Sequence, residues 1–106
     1  MREKVCEILK GWGFETNEFC DLAAHKKTCN GMFVYDPYTN LANDELVFEF
    51  YSYTETTPSR RCATQQIIPC EKLRQMPTQG IEPYLKIVCR SMVDSVVAKI
   101  LFTKIL

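Results

Sequence analysis

Residues 45–56 read ELVFEFYSYTET, and the direction in which these side chains alternate decides how the chain folds. Aromatic and branched residues fill the run, with one carboxylate, Glu49, in its middle. A second run of the same kind, GMFVYD at 31–36, precedes it. The link between them, PYTNLAND, has the Pro, Asn and Asp of a turn-forming connection. Together they predict an antiparallel hairpin. Because strand side chains alternate with period two, Leu46, Phe48 and Phe50 share one face, while Val47, Glu49, Tyr51 and Tyr53 share the other. The first face is the expected core and the second is amphipathic.

Outward from the hairpin, REKVCEILKGW places Val5, Ile8, Leu9 and Trp12 at i, i+3, i+4 and i+7, which predicts a helix stopped by Gly11 and Gly13. Phe14 to Phe19 reads as a short strand or extended segment. The stretch with Ala23, Ala24, Lys26 and Lys27 fits a helical turn or a loop. QQIIP predicts a third strand ending at Pro69, and CEKLRQM one or two helical turns before PTQG. EPYLKIVC (82–89) reads as a further strand, with Tyr84, Lys86 and Val88 on one side and Leu85, Ile87 and Cys89 on the other. SMVDSVVAKILFTKIL (91–106) reads as a helix, in which Ser91 and Asp94 form a capping box, with a strand as the competing reading. The expected fold class is therefore α+β: N-terminal and C-terminal helices packed on one face of a mostly antiparallel sheet of about four strands, in a single domain spanning residues 1–106.

Length and composition set the class of protein. A chain of 106 residues buries one modest core, and 46% hydrophobic with 25% charged residues is ordinary globular composition. No apolar run approaches the roughly 20 residues of a membrane-spanning helix. Charges run through the N-terminal segment where a signal peptide needs an apolar core, so a cytoplasmic location with reduced thiols is expected. Thirteen basic residues balance thirteen acidic ones, yet residues 1–55 hold ten acids and five bases and residues 56–106 three acids and eight bases. The second half therefore offers a basic set, Arg60, Arg61, Lys72, Arg74, Lys86 and Arg90, unless the halves interleave and the charges mix.

Six cysteines are many for such a chain, and Cys6 and Cys89 sit among apolar residues like small core hydrophobes. Cys20, His25 and Cys29 form C-x4-H-x3-C, but the tight C-x2-C knuckles of structural zinc sites are missing, so no metal or other cofactor is expected. None of the nucleophile-elbow, zincin, P-loop or dinucleotide motifs occurs, and no catalytic residue is assigned.

Two carboxylates invite an enzymatic reading. Asp36 ends one hairpin strand and Glu49 lies within the other, as in a pair that shares a divalent cation. In outline this is similar to the nuclease fold whose signature is an acid followed by an acidic residue two places before a lysine. Here Tyr51 stands at the lysine position. A metal-dependent phosphodiesterase using Asp36 and Glu49, or nucleic-acid binding through Arg60, Arg61, Lys72 and Arg74, are thus the alternatives. The leading expectation is a non-enzymatic module that binds a protein partner, or a second copy of itself as a homodimer, through a tyrosine-rich strand face or the hairpin edge. Tyr35, Tyr51 and Tyr53 would supply contact area, and Glu49 partner choice. The apolar stripe of the last segment, which continues to Leu106, docks either on its own sheet or on a second copy.

Overall fold

The computed structural model describes residues 1–16, 22–29, 31–52 and 64–105, with the side chains of 99–105 outside that description. Among these residues five strands form one sheet in the order of the chain, every neighbouring pair antiparallel. They are β1 (Glu15–Thr16), β2 (Ala24–Lys27), β3 (Gly31–Asp36), β4 (Glu45–Ser52) and β5 (Thr64–Pro69). Among the described residues the α-helices are α1 (Arg2–Gly11), α2 (Cys70–Arg74) and α3 (Thr78–Ile105). The α+β class with terminal helices and an antiparallel sheet is as the sequence predicts, with five strands in place of about four.

Helix α1 forms because Val5, Cys6 and Leu9 make a buried stripe. It ends as its glycines predict. Gly13 takes φ +91, and the amides of Gly13 and Phe14 donate to the carbonyls of Lys10 and Leu9, the paired bonds of a Schellman cap. Phe14 then packs into the core beside Leu9. The Lys26 ammonium also donates to the Trp12 carbonyl at 2.6 Å, a cation at the negative end of the helix. Lys26 can do so because AHKK, read from sequence as turn or loop, is the strand β2: its pairing to β3 and β1 outweighs its weak strand propensity.

The hairpin of β3 and β4 pairs Tyr35 with Phe48 and Phe33 with Phe50, and these rings pack at 5.0 and 4.8 Å between centroids. Gly31 is required where the strands meet. A Cβ there would lie 2.2 Å from the Tyr51 carbonyl oxygen and 2.7 Å from the Phe50 ring. Leu46, Phe48 and Phe50 are buried on one face of β4 and join Ile68 of β5, Leu73 of α2 and the row Ile81, Leu85, Val88, Met92 and Val96 of α3 in one core.

That row overturns the strand expected over residues 82–89. Period two placed Ile87 beside Leu85, but Ile87 is 67% exposed, whereas Ile81, Leu85 and Val88 follow the helical i, i+4, i+7 spacing and are buried. Pro83 is accommodated near the start of α3, where few intrahelical bonds precede it. Ser91 and Asp94 accordingly lie inside a 28-residue helix and cap nothing. At 1.5 Å per residue such a helix runs about 42 Å, which matches the longest dimension of the molecule, 42 Å. As far as Val96 the apolar stripe of α3 docks on its own sheet.

The two halves of the chain interleave, and so do some of their charges. Asp44 follows a single 3-10 turn (Leu41–Asn43) with φ +54, and its carboxylate receives Arg2 at 2.9 Å and Arg74 at 2.8 Å. Arg74 first, and then Arg2, hold the Asp44 carboxyl below its ordinary range. Three elements distant in sequence are thereby tied at one corner.

Candidate interaction surface

The helices pack on the face of the sheet that carries Phe48, which leaves the opposite face without a described helix. Strand register sets out that face row by row. Glu15, His25, Val34, Glu49 and Gln65 run across all five strands. Lys27, Met32 and Tyr51 form a second row, and Asp36, Val47 and Ile67 a third. The face is mixed. Met32, Val34, Glu49 and Tyr51 are half-buried, Ile67 is exposed and Val47 is buried.

At its centre the Tyr51 hydroxyl donates to Glu49 Oε2 at 2.8 Å. This bond joins side chains two residues apart on one strand face and orients the carboxylate along it. His25 Nε2 stands 3.5 Å from Glu15 Oε2 in the same row. An open pocket of about 420 Å³ lies toward the β2–β3 side, bordered by His25, Val34, Asp36, Tyr38 and Thr39.

Tyr35 is corrected. The sequence grouped it with surface tyrosines, but it points to the core face opposite Phe48, is 0% exposed, and its hydroxyl donates to the Arg2 carbonyl at 3.1 Å. Burial raises its phenol above the ordinary tyrosine range. Tyr53 lies outside the described residues. The hairpin edge is corrected too. β2 flanks β3 and β5 flanks β4, so neither hairpin strand is an edge. His25, Met32, Val34, Gln65 and Ile67 belong to the surface but escaped sequence reading, because a face made of five strands can be assembled only once their registers are known.

Asp36 and Glu49 share the outer face diagonally, since Asp36 pairs with Val47 and Glu49 with Val34. Their carboxylates have separate tasks. Asp36 Oδ1 accepts the amides of Tyr38 (2.8 Å) and Thr39 (3.1 Å), and Oδ2 accepts the Thr39 hydroxyl, so Asp36 closes the turn that leaves β3. Partial burial pushes its carboxyl up, but the bonds from Thr39 and Tyr38 outweigh that and leave it below the usual range.

Of the other sequence candidates, His25 faces Glu15, Cys29 is exposed, and Cys20 lies outside the described residues. Among the described residues no group of three His, Cys, Asp or Glu side chains is placed to hold a metal ion. Cys6 and Cys70 are buried and Cys89 is half-buried, and burial raises the Cys89 thiol to about 11. Within the basic set, Arg74 is bound by Asp44 and by Glu71 at 3.3 Å. Lys72 lies over Tyr84 and Lys86 over Trp12. Arg60 and Arg61 fall outside the described residues. No described helix is long and apolar enough to cross a membrane. Comparison of the chain with family models, with curated proteins and with solved structures finds no match in any of the three.

Proposed function

We propose that the chain is a cytoplasmic protein-interaction module that works by binding, without catalysis, and that its partner lies on the outer face of the sheet around Glu49 and Tyr51. The observation that carries this reading is the one-sided packing of the helices, which leaves a mixed face of Met32, Val34, Glu49, Tyr51 and Ile67 with no described helix over it. Half-buried apolar side chains around an oriented carboxylate suit a partner that brings a basic group among apolar ones. The apolar neighbours supply area, and the carboxylate supplies choice, because a partner without a donor there would leave Glu49 desolvated and unpaired. Tyr51 contributes both, as a ring with a polar tip.

The test is cross-linking in cells expressing the wild type, Tyr51→Ala or Glu49→Lys, with circular dichroism to establish that each variant is folded. Loss of the wild-type cross-linked species in both folded variants is expected. Identical cross-linking patterns in all three would remove the outer face from consideration.

A further inference from the structure

Strand β5 is the long edge of the described sheet, and hydrogen-bond alternation determines which of its backbone groups face outward. The Cys70 amide donates to the Asp44 carbonyl at 2.9 Å, in register with the β4–β5 ladder. Bonded and non-bonded pairs alternate in an antiparallel ladder. Ile68, Gln66 and Thr64 therefore bond toward β4, and Pro69, Ile67 and Gln65 present their backbone groups to the other side. The same phase emerges from the far end of the sheet. Thr28 donates to the Gly31 carbonyl at 2.7 Å, so odd residues of β3 bond to β2, even ones to β4, and the alternation carried across β4 again turns odd residues of β5 outward. Pro69, which has no amide hydrogen, fits this phase because its nitrogen lies on the outward side.

We infer that β5 pairs with β5 of a second copy of this chain, antiparallel about a twofold axis at Ile67, to make one continuous ten-stranded sheet. Only an extended backbone satisfies an alternating row of donors and acceptors, so the occupant is a strand. In this register the two Ile67 residues exchange a pair of backbone bonds. The Gln65 amide of each copy donates to the Pro69 carbonyl of the other, while the reciprocal bond to the Gln65 carbonyl is not made because Pro69 has no amide hydrogen, so the pairing rests on four backbone bonds centred on Ile67. TQQIIP carries no charge, so a twofold brings no like charges together; the edge has no lysine to block such pairing, and its proline, Pro69, stands at the end of the strand and leaves Gln65 and Ile67 as donors. Ile67, 47% exposed on the outer face, meets its own copy with Cα atoms about 5.5 Å apart. The inference does not rest on the function proposed for Glu49 and Tyr51, although Ile67 borders both surfaces; the self-association test reads mass, which Glu49→Lys and Tyr51→Ala are expected to leave unchanged. If both hold, the dimer presents two such faces side by side.

Light scattering and sedimentation on the full chain, with reductant present, test the pairing. The expected mass is twice the 12.3 kDa of one chain at high concentration. Ile67→Lys and Ile67→Asp, at an exposed position, are each expected to be folded by circular dichroism and monomeric, and a mixture of the two to recover the double mass. Amide exchange of the wild type should slow at Gln65 and Ile67 as concentration rises, while Gln66 and Ile68, already bonded to β4, stay unchanged. A wild type that remains monomeric up to millimolar concentration would overturn the inference. So would a dimer that survives Ile67→Lys, or a charge-paired mixture that stays monomeric.

Discussion

The two faces of strand β4 differ although they alternate along the same eight residues. Leu46, Phe48 and Phe50 enter a core closed by α1, α2 and α3, where they join Tyr35, Ile68, Leu73 and Leu85. Glu49 and Tyr51 stand on the other face, bonded to each other and only half-buried. The first face derives its free energy from area removed from water, at about 25 cal/mol per Å². The second face buries Val47 but leaves Glu49 and Tyr51 half-exposed, and what it keeps is a chemically mixed surface. The contrast teaches that one strand can serve stability and recognition separately, provided that register holds each side chain to its own face.

The largest expected effect tests the buried side of that contrast. Phe48→Ala removes a buried ring packed at a tilt against Tyr35 and should cost about 3–5 kcal/mol, a large part of a stability of about 5–15 kcal/mol. Urea unfolding measures it. A cost below about 1 kcal/mol for Phe48→Ala, or one no larger than that of Tyr51→Ala, would break the comparison.

Next comes Gly31→Ala. Its Cβ would press on the Tyr51 backbone carbonyl and the Phe50 ring, so one added methyl disturbs both the ladder and the core, and a loss of about 1–3 kcal/mol in the same assay is expected.

How much of this was legible without coordinates depended on whether one periodicity stood alone. In β4 polar and apolar residues alternate without ambiguity, and in α1 the helical stripe runs into Gly13, so both elements could be read directly. Over 82–89 two periods fit the same letters. Only burial separates them, because Ile81, Leu85 and Val88 go inside while Ile87 remains in solvent. In β3 the neighbours Met32, Phe33, Val34 and Tyr35 are all apolar or aromatic, so the burial of Tyr35 needed its pairing with Phe48 to be known. Likewise β2, with one buried alanine among polar residues, is a strand by virtue of its neighbours. The candidate surface was legible at Glu49 and Tyr51, where β4 is unambiguous, and invisible where it is completed by β1, β2 and β5.

A smaller effect sharpens the comparison at the boundary between the faces. Asp36 shares the outer face, yet its carboxylate serves the fold by closing a turn. Its carboxyl titrates below the usual range when folded, so its contribution is fully present above the unfolded value of about 3.9 and is lost as pH falls through the folded one. Asp36→Asn should therefore be less stable than the wild type near neutrality and should lose less stability on acidification. Thermal unfolding at a series of pH values below neutrality checks this. Parallel acid limbs in the two proteins would mean that Asp36 does not hold the turn as an ion.

The smallest effect on stability is expected at the pair that defines the outer face. Tyr51→Phe deletes the hydroxyl that donates to Glu49 and keeps the ring, and for a single half-exposed hydrogen bond the loss should not exceed about 1 kcal/mol. A double-mutant cycle with Glu49→Gln isolates the coupling between the two side chains. Measured on unfolding, that coupling should be slight, because water replaces either partner. Measured on cross-linking to a partner, it should be large, because there the carboxylate must arrive already aimed. Strong coupling in unfolding with none in binding would reverse the assignment: the bond would be part of what holds β4 in place, and the two faces of the strand would differ in chemistry but not in purpose.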